Sequence, residues 1–132
     1  VETQLIEQPF ERGRMLFIGA SNRIYVLFND GSSPAWFSVE NRYDPATQPE
    51  ADENFVPQPG FFQPIRVLGF VWRGNDRVRL RLGLAVQQET SYQGFVQTAP
   101  SGESETIYAT SADGTVLELL PNGASWQIIT PG

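Results

Sequence analysis

The stretch that decides the fold runs from residue 15 to residue 31 and reads MLFIGASNRIYVLFNDG. It contains two apolar runs, residues 15–18 and residues 24–28, which are separated by the polar turn residues 19–22. This order is typical of a β-hairpin. The Asp30-Gly31 pair then predicts a second reversal of the chain, because both residue types tolerate positive φ angles. Trp36 begins the run that we predict as the third strand.

Residues 64–83 carry the signals that start and stop helices. The proline at the start of this segment suits a first helical turn, and Gly74 interrupts the segment. Asn75 or Asp76 can cap a second short helix over residues 77–82, which the glycine after it would end. Apolar residues alternate with arginines in that second part, and this period fits a strand equally well. Because both ends carry caps, we predict a helical insert.

The last third of the chain returns to short β-type runs separated by glycine-containing turns, as in a meander. An order of Phe, Ile-Tyr, Asp-Gly and Trp occurs twice, at Phe10, Ile24-Tyr25, Asp30-Gly31 and Trp36 and again at Phe95, Ile107-Tyr108, Asp113-Gly114 and Trp126. Such a repeat predicts two related units. The fold class that we predict is therefore mainly β, of the β-rich α+β type. Two hairpin-based units would pack as a small sandwich or an open barrel around the helical insert at about residues 64–83.

A length of 132 residues suits one domain, since most domains contain about 50–200 residues. Residues 1–9 are largely polar and end in a proline, so we predict an N-terminal arm or edge strand there. A single β-rich domain would follow over residues 10–132. Within it, residues 40–60 carry four prolines and five carboxylates, which predict an acidic loop without regular structure. Loops of this length are often functional, and the alternative is a solvated excursion.

The composition excludes several kinds of chemistry. All nine cationic side chains are arginines, and the chain has no lysine, histidine or cysteine. This rules out the usual zinc sites, thiol nucleophiles, disulfides, imidazole-based triads and Schiff-base lysines. Only carboxylates remain as acids and bases, and we expect no cleft that places two of them as a glycosidase requires. The sequence therefore predicts neither an enzyme nor a cofactor.

The acidic loop also holds the candidate metal ligands. Glu50, Asp52 and Glu53 could bind calcium through their carboxylate oxygens. Their spacing matches no calcium-binding loop, and no nearby glycine provides the turn that would wrap the ion. A solvated acidic loop is the simpler interpretation.

The charges are unevenly distributed. The net charge of −6 argues against a nucleic-acid partner, and no apolar run is long enough to span a bilayer. Residues 66–81 contain five arginines and one carboxylate. On one helix, Arg73, Arg77 and Arg81 would form a stripe with i, i+4 spacing. The simplest interpretation pairs this basic segment with the acidic loop, either within the chain or between copies.

Aromatic residues concentrate around the acidic loop and the helical insert. Most of them belong in the core of a domain of this size. Phe61 and Phe62 follow Pro59-Gly60 and cannot both face the same side of a strand, so we expect one of them to be exposed. Exposed aromatics beside carboxylates and amides can bind sugar rings or a protein partner. The candidate ligand-binding or partner-binding residues are Trp36, Tyr43, Phe61, Phe62, Trp72, Arg73, Arg77 and Arg81.

Several motifs in the chain resemble a functionally uncharacterised module of exported and envelope-associated bacterial proteins. They are QPFERGRM at 8–15, IYVL at 24–27, QPIR at 63–66, GFVWR at 69–73, VR at 78–79 and LGLA at 82–85. The match spans roughly residues 7–127. Val67 stands where the module usually has Gly, Leu84 where it has Trp, and the second unit lacks the Gly-x-Met step. The Leu-Gly-x-Ala element, followed by Glu89 and Phe95, is also similar to the LGFP-repeat family, which is associated with cell-wall anchoring. The resemblance implies an exported location and a non-catalytic role, without known binding residues.

We therefore expect a secreted or cell-surface binding module, whose signal or anchor is removed or lies outside this segment. Its aromatic and acidic region, residues 43–72, would bind a cell-surface glycan or an envelope protein. The alternative is a self-assembling subunit of a surface layer or filament, joined through opposite charge patches and strand addition by residues 1–9. An arginine-dependent nucleic-acid reader is the third hypothesis.

Overall fold

The computed structural model describes residues 1–130, with the backbone alone for Ser101, and these residues form a mainly β fold. The predicted fold class is thereby confirmed. A short 3-10 helix, Pro121–Gly123, lies between the last two strands. The elements are β1 (Glu2–Phe10), β2 (Gly13–Ile18), β3 (Arg23–Phe28), β4 (Trp36–Glu40), α1 (Arg66–Gly74), α2 (Asp76–Leu82), β5 (Thr90–Ser101), β6 (Ser104–Thr110), β7 (Val116–Leu119) and β8 (Trp126–Ile129).

The strands form one antiparallel sheet in the order β4-β3-β2-β1-β5-β6-β7-β8. Strand β1 lies at the centre, where Leu5 is paired with Ile18 of β2 on one side and with Tyr92 of β5 on the other. The prediction that residues 1–9 form an arm or edge strand is therefore wrong. Exposed and buried positions alternate over residues 2–7 because one face of this central strand, with Leu5 on it, turns toward the core.

The sheet curls into a nearly closed barrel, so the open barrel is the one of the two predicted arrangements that is found. Its two edges are held near each other by three hydrogen bonds. The backbone N–H of Ala35 donates to Gly123 O at 2.8 Å. The indole of Trp36 donates to Leu120 O at 2.9 Å, and the indole of Trp126 donates to Phe28 O at 2.7 Å. The barrel interior is largely apolar, and its buried residues include Leu5, Leu16, Ile18, Leu27, Leu117 and Leu119.

The two helices cover the outer face of the first four strands and do not lie between the two units. Met15 and Phe17 of β2 pack against Leu68 and Leu82 of the helices, whereas Leu16 points into the barrel. Strands β2 and β3 are therefore buried on both faces. This burial explains why their sequences are continuous apolar runs and do not alternate.

The helical prediction for residues 64–83 is confirmed, although α1 starts at Arg66, two residues after Pro64. The side chain of Asn75 caps α2, accepting hydrogen bonds from the backbone N–H groups of Arg77 and Val78. Gly83 ends this helix with a φ angle of 78°. The cap and the terminator thus decide between helix and strand for residues 77–82, where periodicity alone leaves both possible.

The repeated motif occupies neither corresponding strands nor corresponding faces, because its Ile-Tyr pair lies on the third strand of the first meander and on the second strand of the second meander. The Ile-Tyr pairs lie on β3 and β6, and each strand is followed by its Asp-Gly turn. In the first unit Ile24 packs toward the helices, whereas in the second unit Ile107 packs into the barrel. Trp126 lies on β8, one strand later than the repeat would place it. The two units therefore share their meander topology but not the placement or the packing of the motif.

The acidic loop between β4 and α1 has no regular secondary structure, as predicted. Gln63 orders its second half, since the side chain accepts from Asp52 N–H at 2.7 Å and donates to the carbonyl oxygens of Asp52 and Phe55. Phe55 in turn packs its ring against Trp72, at a centroid distance of 5.8 Å. The loop is therefore attached to the helical layer through contacts of its own.

Candidate functional site

Two of the predicted binding aromatics belong to the core. Trp36 is 9% exposed and Trp72 is 4% exposed. Trp36 helps to close the barrel, and the indole of Trp72 donates to Gly83 O at 2.9 Å beneath the acidic loop. Each indole N–H is directed at a backbone carbonyl of the fold, so both tryptophans have a structural role. Tyr43 is half-buried and packs on Phe70, at a centroid distance of 6.2 Å.

The three predicted binding arginines do not form a stripe. Arg73 belongs to α1, whereas Arg77 and Arg81 belong to α2. The extended backbone of Asn75 separates the two helices. Arg73 donates to Pro49 O at 3.2 Å, and Arg77 is exposed. Arg81 is largely buried and pairs with Asp30, so it supports the fold and does not present a binding surface.

The acidic loop and the basic segment do meet within the chain, at one ion pair. Arg66 Nη1 lies 2.6 Å from Glu50 Oε1. Glu50 is therefore engaged by an arginine, and among residues 1–130 no group of three or more acidic side chains is placed to hold a metal ion. The calcium ligands considered from the sequence, Glu50, Asp52 and Glu53, do not come together.

The cleft that combines the remaining predicted aromatics with unpaired polar groups lies on the outer side of the sheet. We call it the Gln8 cleft. Its volume is about 370 Å³. It lies between the end of the acidic loop, the start of α1, strand β1 and the residues just before β5. Its lining residues are Gln8, Pro57, Phe61, Phe62, Gln63, Ile65, Arg66, Gln88 and Glu89.

Gln8 is the most buried of the polar residues that line this cleft. It is 2% exposed, and its Nε2 donates to Gln87 O at 2.9 Å, which fixes the orientation of the amide. Its Oε1 is buried and accepts no hydrogen bond from any of the described residues. A buried acceptor without a partner costs about 1–3 kcal/mol. In native proteins such groups are commonly satisfied by an ordered water or by a ligand.

Three wider clefts, each of about 590 Å³, lie elsewhere on the described part of the chain. None of them is lined by a side-chain atom that is both buried and unpartnered. Arg73 Nη1, the other such atom in residues 1–130, belongs to a residue that lines a smaller cleft of about 280 Å³. That atom lies close against Gly69 of its own helix, 2.8 Å from where a Cβ would stand. The Gln8 cleft is therefore the strongest candidate site.

Phe61 and Phe62 both line the Gln8 cleft and both are half-buried, so the expectation that one of them is exposed is too simple. Phe62 is fixed by its backbone, whose N–H donates to Ala85 O at 2.9 Å. Ala85 forms a second isolated bridge with Phe10 at the end of β1. This link brings the loop aromatics next to the strand that carries Gln8.

Arg66 stands at the junction of the loop and α1 in a left-handed conformation, with φ of 51°. This conformation is uncommon for a residue other than glycine and stores about 1–3 kcal/mol of strain. Glu50 holds it on two sides, because the backbone N–H of Arg66 donates to Glu50 O at 2.8 Å and the guanidinium binds the Glu50 carboxylate. The Glu50 hydrogen bond also raises the pKa of Arg66. Strain of this kind is concentrated at functional sites.

Glu89 is the one carboxylate among the lining residues of the Gln8 cleft. Burial raises its pKa, and the positive charge of Arg66 opposes that rise. Within residues 1–130 the Glu89 side chain makes no ion pair and no hydrogen bond. Two of the residues that line the cleft, Gln8 and Glu89, thus each carry an acceptor without a partner among the described residues, beside two aromatic rings.

Glu7 provides a contrast, because it is a buried carboxylate with all of its partners present. It is 6% exposed and accepts from Arg14 at 2.8 Å, from the hydroxyl of Ser111 and from the N–H of Ala112. Its role is to tie β1 and β2 to the residues after β6. Glu89 has no comparable set of donors.

Sequence reasoning found Phe61 and Phe62 but missed Gln8, Gln88 and the chemical role of Glu89. A signal for Gln8 exists in β1, where residues 6, 8 and 10 share one face and the other two are apolar. A glutamine on an otherwise apolar face is an unusual feature that points to a special polar role.

A scan against protein-family models found no match to this chain, and searches of curated proteins and of solved structures also found none. In the described part of the chain, neither helix has the length and apolar character needed to cross a membrane.

Proposed function

We propose that this chain is a non-catalytic, exported binding module that takes one sugar ring of a surface polysaccharide into the Gln8 cleft. The observation that carries the proposal is the buried Oε1 of Gln8, which lacks a donor while two phenylalanine rings line the same cleft. The exported location rests on the resemblance of the chain to envelope-associated modules.

The chemistry of the walls fits a saccharide. A sugar ring has an apolar face that packs on aromatic side chains, and it has hydroxyl groups around its edge that donate hydrogen bonds. Phe61 and Phe62 offer the apolar surface, and Gln8 and Glu89 offer acceptors. A volume of about 370 Å³ lies in the range of about 300–1,000 Å³ that small-molecule sites occupy.

A binding role is favoured over hydrolysis by the number of carboxylates. Glycosidases use two carboxyl groups, about 5–10 Å apart, on either side of the scissile bond. Glu89 is the one carboxylate among the described lining residues, and Glu50, behind Arg66, is already paired. The cleft therefore offers one acid or base where that reaction needs two.

The alternative of a self-assembling subunit has less support. Its predicted contacts were strand addition by residues 1–9 and the pairing of opposite charges between copies. Within the sheet, residues 2–7 pair with β5 and residues 5–10 pair with β2, and Glu50 and Arg66 are paired with each other. Both contacts are thus used inside a single chain.

Binding of the whole chain to an array of envelope polysaccharides, followed by calorimetric titration of the best ligand, tests the proposal. We expect Phe61→Ala to weaken binding at least about tenfold, because it removes an aromatic wall from the cleft. Phe95→Ala is the matched control, since Phe95 is 63% exposed on β5 and lies outside the cleft. Failure to bind any envelope glycan, or equal losses in the two variants, would contradict the proposal.

A further inference from the structure

We infer that the sugar unit selected by the Gln8 cleft carries a free ammonium group, as a hexosamine without an N-acetyl group does. This inference rests on the proposed function and names the substrate class of the same site. It is drawn from the charges and the unpaired acceptors of the cleft.

The first argument is the uncompensated charge of Glu89. This carboxylate is half-buried and has no ion-pair or hydrogen-bond partner among residues 1–130, while the positive charge of Arg66, which lines the same cleft, is shared with Glu50. The three groups together carry one net negative charge. A partly buried charge is stabilised by a partner that compensates it. A neutral hydroxyl supplies a hydrogen bond, whereas an ammonium supplies a hydrogen bond and the opposite charge.

The second argument is the number of donors that the site can use. An ammonium group has three N–H donors and no acceptor, which suits a cleft whose lining residues Gln8 and Glu89 each carry an acceptor without a partner among the described residues. An N-acetyl group has one N–H and a carbonyl oxygen that would be a further acceptor. The free amine is therefore the better complement.

The third argument is the character of the walls. The faces of phenylalanine rings attract cations, most strongly where water is excluded. Phe61 and Phe62 are both half-buried in the cleft, beside Pro57 and Ile65. The net charge of −6 also attracts cationic ligands to the molecule as a whole.

The test is an NMR titration of the isotope-labelled chain at physiological ionic strength. Three β-1,4-linked oligosaccharides of equal length are compared: one of glucosamine, one of N-acetylglucosamine and one of glucose. We expect the glucosamine oligomer to bind at least about tenfold more tightly than the other two, the ratio expected from one charge-assisted hydrogen bond. The shifted resonances should include the backbone amides of Gln88, Glu89 and Phe62.

Two variants with the same change in net charge locate the effect. Glu89→Gln should reduce the preference for the amine to less than about twofold, because it removes the negative charge from the cleft while keeping the size of the side chain. Glu103→Gln should leave the preference intact, since Glu103 is exposed in the turn between β5 and β6 and lies outside the cleft. A preference that survives Glu89→Gln would overturn the inference.

The remaining outcomes separate the inference from the proposed function. Equal binding of the three oligomers at the cleft overturns the ammonium inference and leaves the sugar-binding function standing. Binding of the amine with shifts away from the cleft, or equally tight binding of lysine amide, overturns the recognition of an amino sugar. If no saccharide binds, the proposed function and the inference fail together.

Discussion

Arg81 grips the carboxylate of Asp30 with two hydrogen bonds, Nε to Oδ2 at 2.8 Å and Nη2 to Oδ1 at 2.7 Å. The same guanidinium donates to the carbonyl oxygens of Ser32 and Pro34 and lies 3.6 Å from the centroid of the Phe28 ring. The Arg81 and Asp30 side chains are only 13% and 16% exposed. This contact fixes the loop after β3 to helix α2, and it thereby positions the edge of the barrel where β4 begins.

We expect Arg81→Lys to lower the free energy of unfolding by about 1.5–3 kcal/mol, because lysine cannot make the paired hydrogen bonds of a guanidinium. Urea unfolding followed by circular dichroism measures the loss. Arg77→Lys on the same helix is the control, since Arg77 is exposed, and it should change stability by less than about 0.5 kcal/mol. Equal effects of the two substitutions would contradict a structural role for Arg81.

Stability in acid should depend on Asp30. The Arg81 hydrogen bonds hold the pKa of Asp30 well below its ordinary value of 3.8. As the pH falls below that value, the unfolded chain takes up a proton that the folded chain does not, so folding is progressively disfavoured. The contribution of the pair is complete at pH values above the ordinary pKa and is lost as the pH falls toward the lowered one.

The variant that checks this pH dependence is Asp30→Asn. It should be less stable than the parent chain at neutral pH and should lose less stability between neutral and strongly acidic pH. Denaturant unfolding at a series of pH values measures both quantities. Parallel curves for the two proteins would show that Asp30 does not contribute to acid unfolding.

Gly13 begins β2 with φ of 146°, where a Cβ would collide with the carbonyl oxygen of Leu27 and lie 2.8 Å from the side chain of Leu82. We expect Gly13→Ala to destabilise the fold by about 3 kcal/mol or more. Gly31→Ala separates the two causes, since Gly31 has φ of 79° but nothing within 4 Å of a Cβ. That substitution should cost only about 1–2 kcal/mol for the backbone conformation. Thermal unfolding compares them, and equal losses would exclude the predicted collision.

Trp126 joins β8 to the end of β3 through its indole N–H, which lies 2.7 Å from Phe28 O. We expect Trp126→Phe to lower stability by about 1–2 kcal/mol, because it removes this hydrogen bond and leaves the carbonyl without its partner. Amide hydrogen exchange should accelerate first in β8 and in the turn before β4. Trp72→Phe removes a similar bond, to Gly83 O, and should instead accelerate exchange in the helices. The same exchange pattern in both variants would contradict a local role for Trp126 in closing the barrel.

The elements that could be predicted from the sequence are those set by local chemistry. Asn75 and Gly83 define the ends of α2 through a cap and a positive φ angle, and the Asp-Gly pairs mark turns after β3 and β6. Strand β1 could not be predicted as central, because its environment comes from distant parts of the chain. Glu7 is polar in the sequence and buried in the fold because Arg14 and Ser111 supply its donors. No local pattern contains that information.

In the candidate site, too, some residues could be predicted from local sequence and others could not. Phe61 and Phe62 could be identified from the turn that precedes them. Gln8 and Glu89 could not, because the cleft forms only when β1, the acidic loop and the start of β5 come together. Trp36 and Trp72 were predicted as binding residues because a single sequence does not distinguish a tryptophan that donates to a carbonyl of its own fold from one that meets a ligand.

The pairing of β1 with β5 has a consequence for how the chain folds. Leu5 reaches its partner Tyr92 only after β2, β3, β4 and both helices have been synthesised. Until then one side of β1 is an unpaired edge, which another chain can occupy. Contacts between residues so far apart in sequence also slow folding, because the chain loses conformational entropy before the contact contributes any favourable energy. We therefore expect the pairing of β1 with β5 to be the late and rate-limiting step of folding. Aggregation in the cell should begin from the intermediate in which only β1 to β4 have paired.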